Sequence, residues 1–246
     1  MFLFCSYRLG VQYSLPLLAM SPIAEINDRL LPSYGPLPTW RHLDPVSQLI
    51  LAVLGEKTRN EVSMRVFEDL ALRFHPWQRL LAVRPAEIRP LIEPVTFAEK
   101  KAVWIPKALR AIHAYRGVLE LDFLRTWPVE SARAWLERLP GVGPKVSAAI
   151  VNFSRLRMRA LVVDSHHLRV AKRLGLVSAK ASLAKAAGLL MGQMPDGWGA
   201  DDLDDHHTLM KWHGQRVCRD RSPDCRCCPL RDLCPSGGGE ADSLRR

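Results

Sequence analysis

The stretch Leu139-Pro140-Gly141-Val142-Gly143-Pro144-Lys145 lies between two segments whose apolar residues recur at helical spacing. Gly141 and Gly143 can adopt a positive φ and leave the backbone unshielded. Pro144 suits the first position of a helix, where a missing N–H costs nothing. The sequence therefore predicts a helix, a tight hairpin and a second helix that carries Lys145 on its first turn. Free N–H groups at such a positive helix end can bind one phosphate.

A second motif, Val162-Val163-Asp164-Ser165-His166, follows the second helix after a short apolar run. Asp164 or Ser165 can cap the helix that comes next. Taken singly, Lys145 is best interpreted as a phosphate-contacting lysine and Asp164 as a plain helix cap. Lys145 and Asp164 occur together with the hairpin, and this combination favours a catalytic role for both, because a short motif is informative only in its context.

The two segments LPGVGPKVSAA and VVDSHHLRV resemble the helix-hairpin-helix and catalytic segments of the endonuclease III family of DNA glycosylases, whose pattern is LPGVGxKTA followed by VDTHxxRV. The resemblance covers residues 21–235 and is most specific over 135–169 and 212–235. Helical spacing along the chain predicts an all-α fold, and the resemblance implies that this fold has two lobes. A central helical bundle over 41–153 ends in the hairpin, and residues 21–40 together with 160–235 form the second lobe, with the substrate cleft between them.

The resemblance assigns catalysis to Lys145 and Asp164 and implies a DNA N-glycosylase that is also a lyase at abasic sites. Breaking an N-glycosidic bond builds positive charge on the sugar, which a carboxylate stabilises. A neutral amine can attack C1′, displace the base and form a Schiff base, after which β-elimination nicks the strand. The implied substrate is duplex DNA with an oxidised pyrimidine or an abasic site, and the base has to leave the stack.

Further positions match the DNA-contacting residues of the family. Where the family usually has S-Q-x-T, with a glutamine that enters the gap left by the flipped base, this chain has Gly55-Glu56-Lys57-Thr58. An ionised glutamate only accepts hydrogen bonds, whereas a glutamine also donates them, so Glu56 leaves base specificity and activity open. Phe97 is either an apolar wedge or a core residue. The resemblance also implies DNA contacts for the hairpin residues and for the histidine of the second motif, namely Gly141, Val142, Gly143 and His166.

His166 is expected to have a structural role, with a hydrogen bond near Asp164, and His167 is expected to be exposed. Elsewhere helical spacing dominates, and Ser21-Pro22 and Asp44-Pro45 are typical helix starts. Pro106 lies inside a predicted helix over 97–115 and is expected to kink or break it.

Five of the six cysteines lie between Cys218 and Cys234, which indicates a ligand cluster in a reducing, intracellular setting. Cys227 lies outside the spacing C-x6-C-x2-C-x5-C and is expected to be a free thiol. Four thiolates fit a [4Fe–4S] cluster or a structural zinc, and the resemblance favours the iron–sulfur cluster. The four ligands would be Cys218, Cys225, Cys228 and Cys234.

The net charge of +10 and the isoelectric point near 9.6 suit a polyanionic partner. No apolar run is long enough to span a membrane, and we expect a monomer in the cytoplasm or nucleoid. Residues 1–19 are an extension of unknown role, and residues 236–246 form an expected disordered tail. Two other functions stay open: a glycosylase of the same fold for another base, such as mismatched thymine, and a DNA-damage binding protein with little catalysis.

Overall fold

A computed structural model describes residues 21–38 and 42–237. The extension over 1–19 and nearly all of the tail over 236–246 lie outside the described residues. Within the described ranges the chain forms ten α-helices joined by turns and short 3-10 segments, and it forms no strand. The prediction of an all-α fold is therefore confirmed. No helix of these ranges is long and apolar enough to cross a membrane.

The helices follow the chain in order. They are α1 (Pro22–Tyr34), α2 (Pro45–Gly55), α3 (Asn60–Phe74), α4 (Pro85–Ile88), α5 (Ala98–Arg116), α6 (Val129–Leu136), α7 (Pro144–Phe153), α8 (Ser165–Arg173), α9 (Leu183–Met191) and α10 (Ala200–Arg216). The predicted helix starts are present, because the side chains of Ser21 and Asp44 accept backbone hydrogen bonds from the first turns of α1 and α2.

Pro106 was expected to kink or break its helix, and the prediction of a break is wrong. Helix α5 runs without interruption through this proline, which is itself buried. The adjacent Ile105 and, one turn on, Leu109 are fully buried in the hydrophobic core. Burial of a side chain of this size contributes about 1.5–3 kcal/mol. Packing on both sides of the proline therefore offsets the backbone hydrogen bond that a proline cannot make.

Buried apolar side chains form two separate clusters. The first is built mainly from α2, α3, α5, α6 and α7, and the second from α1, α8, α9 and α10. The extended link between α7 and α8 alternates between them, with Ala160 and Val162 in the first cluster and Leu161 and Val163 in the second. Alternation of this kind is expected of extended chain. We interpret the two clusters as the cores of the two predicted lobes, with α7 in one and α8 in the other.

Helices α8 and α10 approach each other closely at Gly214. A Cβ atom at this position would lie 2.9 Å from the Cβ of His166 and 3.1 Å from its carbonyl oxygen. Only glycine allows the two backbones to come this near. This contact fixes the N-terminal turn of α8, where Asp164 lies, against the last turns of α10.

Candidate functional site

The hairpin between α6 and α7 presents an uncapped helix end. Gly141 has a φ of +83°, and a Cβ there would lie 3.1 Å from the ring of Trp104, so a side chain does not fit. Gly143 has extended backbone instead and precedes α7, whose first turn receives no hydrogen bond from a capping side chain. Val142 is buried and anchors the hairpin to the core. The free N–H groups of this turn are therefore available to an anion.

Lys145 lies on the first turn of α7 and forms an ion pair with Glu56, which follows α2 directly. Lys145 Nζ lies 3.2 Å from Glu56 Oε2, and the side chains are 29% and 38% exposed. The two residues are far apart in the chain. The structure thus brings together the predicted catalytic lysine and the residue that replaces the glutamine of the family.

A fully buried lysine, Lys101, supports the loop that carries Glu56. Its Nζ donates to Leu54 O at 2.7 Å, to Glu56 O at 2.7 Å and to Thr58 Oγ1 at 3.1 Å. Burial, opposed by the carboxylate of Glu56 and reinforced by the nearby charge of Lys145, lowers the pKa of Lys101 to about 8. Sequence reasoning missed this residue, because a lysine is not expected on the buried face of α5, which Lys101 shares with Ile105 and Ala108.

Phe97 lies on the surface beside the same loop. The residue is 48% exposed, and the Nζ atoms of Lys57 and Lys100 lie 5.5 Å and 5.7 Å from the centroid of its ring. The N–H of the preceding Thr96 donates to Thr58 Oγ1 at 3.1 Å, which ties the two loops together. Of the two interpretations left open for Phe97, the core residue does not fit this exposure.

Asp164 caps α8 and is almost completely buried. Its Oδ1 accepts a hydrogen bond from the N–H of His167 at 2.8 Å. Burial raises the pKa of Asp164, but His207, the His167 N–H and Lys211 together outweigh burial and hold the pKa below the usual value. Asp164 is therefore an ionised carboxylate at neutral pH, as stabilisation of a cationic sugar requires.

Three histidines are packed together behind Asp164. The prediction that His167 is exposed is wrong: its side chain is fully buried, with its ring centroid 5.0 Å from that of His206 and 6.0 Å from that of His207. The positions 167, 170 and 171 share the buried face of α8, so the helical spacing of the sequence already indicated that His167 is buried. His166, by contrast, is partly buried and its Nδ1 lies 3.2 Å from Arg169 Nη2.

These buried histidines make the fold sensitive to acid. Burial lowers the pKa of His206 to about 3 and that of His207 to about 4, whereas an unfolded histidine has a pKa of 6.5. Below pH 6.5 these histidines bind protons in the unfolded chain but not in the folded chain. The free energy of unfolding present at neutral pH is therefore lost as the pH falls towards 4. We expect the thermal midpoint to fall between pH 7 and pH 5, with a shallower fall in His206→Phe. A midpoint that does not change over this range would contradict this prediction.

The four cysteines of the predicted ligand set line one cavity at the end of α10. Arg173 Nη1 lies 3.2 Å from Cys218 Sγ, and His213 Nε2 lies 3.6 Å from Cys228 Sγ. In the described part of the chain, no group of three or more His, Cys, Asp or Glu side chains is arranged to hold a single metal ion. Cys227 is exposed and lies outside the lining of this cavity. The lining includes Cys218, Cys225, Cys228 and Cys234.

Known proteins are similar to this chain in sequence and in fold. Endonuclease III of Bacillus subtilis is 29% identical over 198 residues, which cover 80% of this chain and 83% of that protein. A thymine-DNA glycosylase of Aeropyrum pernix is 26% identical over 208 residues, covering 79% and 84% of the two chains. The structure of a trapped endonuclease III–DNA covalent intermediate superposes with a TM-score of 0.74 at 27% identity and covers 87% of this chain and 95% of that one.

The described residues combine an uncapped glycine hairpin, a lysine on the first turn of the next helix and a buried aspartate that caps the helix after it. On an all-helical scaffold this combination is typical of helix-hairpin-helix DNA repair enzymes. The family model described as HhH-GPD superfamily base excision DNA repair protein matches residues 50–193, more than half of the chain. The chain belongs to this superfamily, and within it the chain is similar to bacterial endonuclease III.

Proposed function

We propose that this protein is a base excision repair DNA glycosylase with β-elimination lyase activity, acting on duplex DNA that contains an oxidised pyrimidine or an abasic site. The observation that carries the proposal is the placement of a partly exposed amine on the first turn of α7 and of an ionised carboxylate at the N-cap of α8. Lys145 and Asp164 both act electrostatically on the same three groups, His166, His207 and Lys211. The similarity to endonuclease III over most of both chains supports the same activity.

The chemistry follows from these two groups. The neutral amine of Lys145 attacks C1′, the N-glycosidic bond breaks, and the departing base takes up a proton. The sugar ring opens to a Schiff base, and loss of a proton from C2′ then expels the 3′ phosphate and nicks the strand. Asp164 stabilises the positive charge on the sugar and exchanges protons with the reacting groups. The uncapped turn of α7 would hold a backbone phosphate nearby and so position the sugar.

We also propose that the cysteine cavity holds a [4Fe–4S] cluster. The donor set fits, because four cysteine thiols line one cavity and four thiolates are the ligands that such a cluster requires. When bound, the cluster would cross-link residues 218–234. Arg173 and His213 would donate hydrogen bonds to two of the ligand sulfurs, which partly offsets the negative charge of the thiolates.

Two observations favour alternatives. The similarity to the thymine-DNA glycosylase of Aeropyrum pernix favours a mismatched thymine as the excised base. The ion pair between Lys145 and Glu56 favours a damage-binding protein with little catalysis, because it engages the nucleophile.

Borohydride trapping tests the proposal and separates it from both alternatives. Wild-type protein is incubated with duplexes that carry an abasic site, an oxidised thymine, a thymine opposite guanine, or no damage. We expect a covalent adduct on the abasic and oxidised duplexes. Base release confined to the thymine opposite guanine would favour the alternative that the protein excises mismatched thymine. Binding to damaged duplex without any adduct or base release, from protein with its brown cluster intact, would contradict the proposal.

A further inference from the structure

A closed ring of hydrogen bonds joins the loop of Glu56 to the loop of Phe97. The side chain of Lys101 donates to two backbone carbonyls at and just after the end of α2 and to Thr58 Oγ1. The backbone N–H of Lys101 donates to Phe97 O at 3.1 Å. Thr58 Oγ1 also accepts from the N–H of Thr96, which closes the ring. Lys101 and Thr58 therefore connect the two loops, and we call these two residues the joint.

The donors and acceptors of the joint are matched in number. Lys101 is fully buried, and its pKa, lowered mainly by burial to about 8, leaves most of the amine protonated at pH 7. An ammonium group has three N–H donors, and three oxygens accept from it. A buried charged donor that is satisfied in this way holds its acceptors in one arrangement.

Each of the two loops also contains a non-glycine residue with left-handed backbone. The φ of Lys57 is +54° and the φ of Phe97 is +59°. A side chain makes this region unfavourable, and such conformations persist where the surrounding structure enforces them. The next residue after Lys57 and the one before Phe97 are Thr58 and Thr96, which form the hydrogen bond between the loops. The joint thus holds two backbone conformations that the separate loops would not favour.

We propose that Lys101 is a positioning residue for damage recognition, which through Thr58 holds the two loops at one separation so that Glu56 and Phe97 meet damaged DNA as a single preformed surface. The proposal rests on the proposed repair function. Both placed side chains are accessible, since that of Glu56 is 38% exposed and Phe97 lies on the surface. Loops that are already ordered lose less conformational freedom on binding. Loosening them should therefore weaken binding to damaged duplex more than binding to undamaged duplex, which the hairpin can hold by its backbone.

The first test measures the two loops in the free protein by amide hydrogen exchange, read in peptides that cover residues 55–58 and 95–97. Lys101→Met keeps an unbranched side chain of similar length and removes the donors. We expect exchange in both loops to become about tenfold or more faster, because both lose the charged donor that connects them. Faster exchange confined to 55–58 would overturn the proposal, and so would unchanged exchange in both loops.

The second test measures the preference for damage, as the ratio of the dissociation constants for undamaged duplex and for duplex with a tetrahydrofuran abasic-site analogue, which cannot form a Schiff base. We expect the preference to fall about tenfold in Lys101→Met and about threefold in Thr58→Val, as for loss of a charged and of a neutral hydrogen bond. Affinity for undamaged duplex should stay close to that of wild type. Thr58→Ser keeps the hydroxyl and should keep the wild-type preference.

A matched variant controls for lost stability. Ile112 is fully buried in the first hydrophobic cluster, about three turns along α5 from Lys101. Ile112→Ala should lower the thermal midpoint and leave the preference unchanged when every variant is measured at a temperature at which it is folded. An equal fall of the preference in Ile112→Ala would overturn the proposal, and so would a wild-type preference in both Lys101→Met and Thr58→Val.

The two tests separate this proposal from the proposed function. A wild-type protein without any preference for the abasic-site analogue would contradict the repair function and, with it, a role of the joint in recognition. Hydrogen exchange does not depend on DNA, so it would still decide whether Lys101 holds the two loops together.

Discussion

Lys145→Ala is expected to yield no borohydride-trapped adduct on an abasic-site duplex and to lower strand cleavage on the order of a thousandfold or more. Removal of a nucleophile removes the covalent step itself, so the loss should be far larger than that of a binding contact. Single-turnover cleavage and trapping with enzyme in excess measure both effects. Binding to the same duplex should largely persist, because the N–H groups of the hairpin do not depend on this side chain.

A lysine elsewhere on the surface gives the matched control. Lys185 is exposed on α9, a helix that packs in the second hydrophobic cluster. Lys185→Ala removes the same charge as Lys145→Ala but changes no residue of the candidate site. We expect it to trap DNA as wild type does. An adduct of undiminished yield from Lys145→Ala would mean that another amine attacks C1′, and the partly buried Lys211 would be the first candidate.

Asp164→Asn is expected to lower excision of a damaged base on the order of a hundredfold or more, while cleavage at a preformed abasic site falls much less. The reason is that the carboxylate stabilises the charge that develops as the N-glycosidic bond breaks, and an abasic site has already lost its base. Base release from the damaged duplex and strand cleavage of the abasic-site duplex are measured separately. Each rate is compared between wild type and Asp164→Asn.

Asparagine removes the charge of Asp164 and preserves its role as a helix cap. Its side-chain oxygen can still accept the hydrogen bond from the His167 N–H, and asparagine is as good a helix cap as aspartate. The thermal midpoint of Asp164→Asn should therefore stay close to that of wild type. Equal losses on both substrates, together with a lower midpoint, would show that Asp164 acts as a structural cap and would contradict a catalytic role.

Sequence reasoning anticipated the features that short stretches of chain encode. The hairpin, the helix starts at Ser21 and Asp44, and the extended link before Asp164 follow from the backbone preferences of a few neighbouring residues. The spacing of the four cysteines likewise indicated a ligand loop before any contact was visible. Helical periodicity was sufficient to predict the all-α class, because an amphipathic helix records its buried face in its own sequence.

Only the tertiary structure decided which distant residues meet in the cleft. Three contacts join parts of the chain that are far apart in sequence. They are the ion pair between Glu56 and Lys145, the hydrogen bond from the buried Lys101 to the loop of Glu56, and the packing of His167 on His206. Such contacts depend on how the helices pack, and packing is set by the sum of many buried side chains across two clusters. A charged or polar residue on a helix carries no local sign of the partner it will find, and for that reason the chain by itself determined the chemical groups of the site while the fold determined how they are paired.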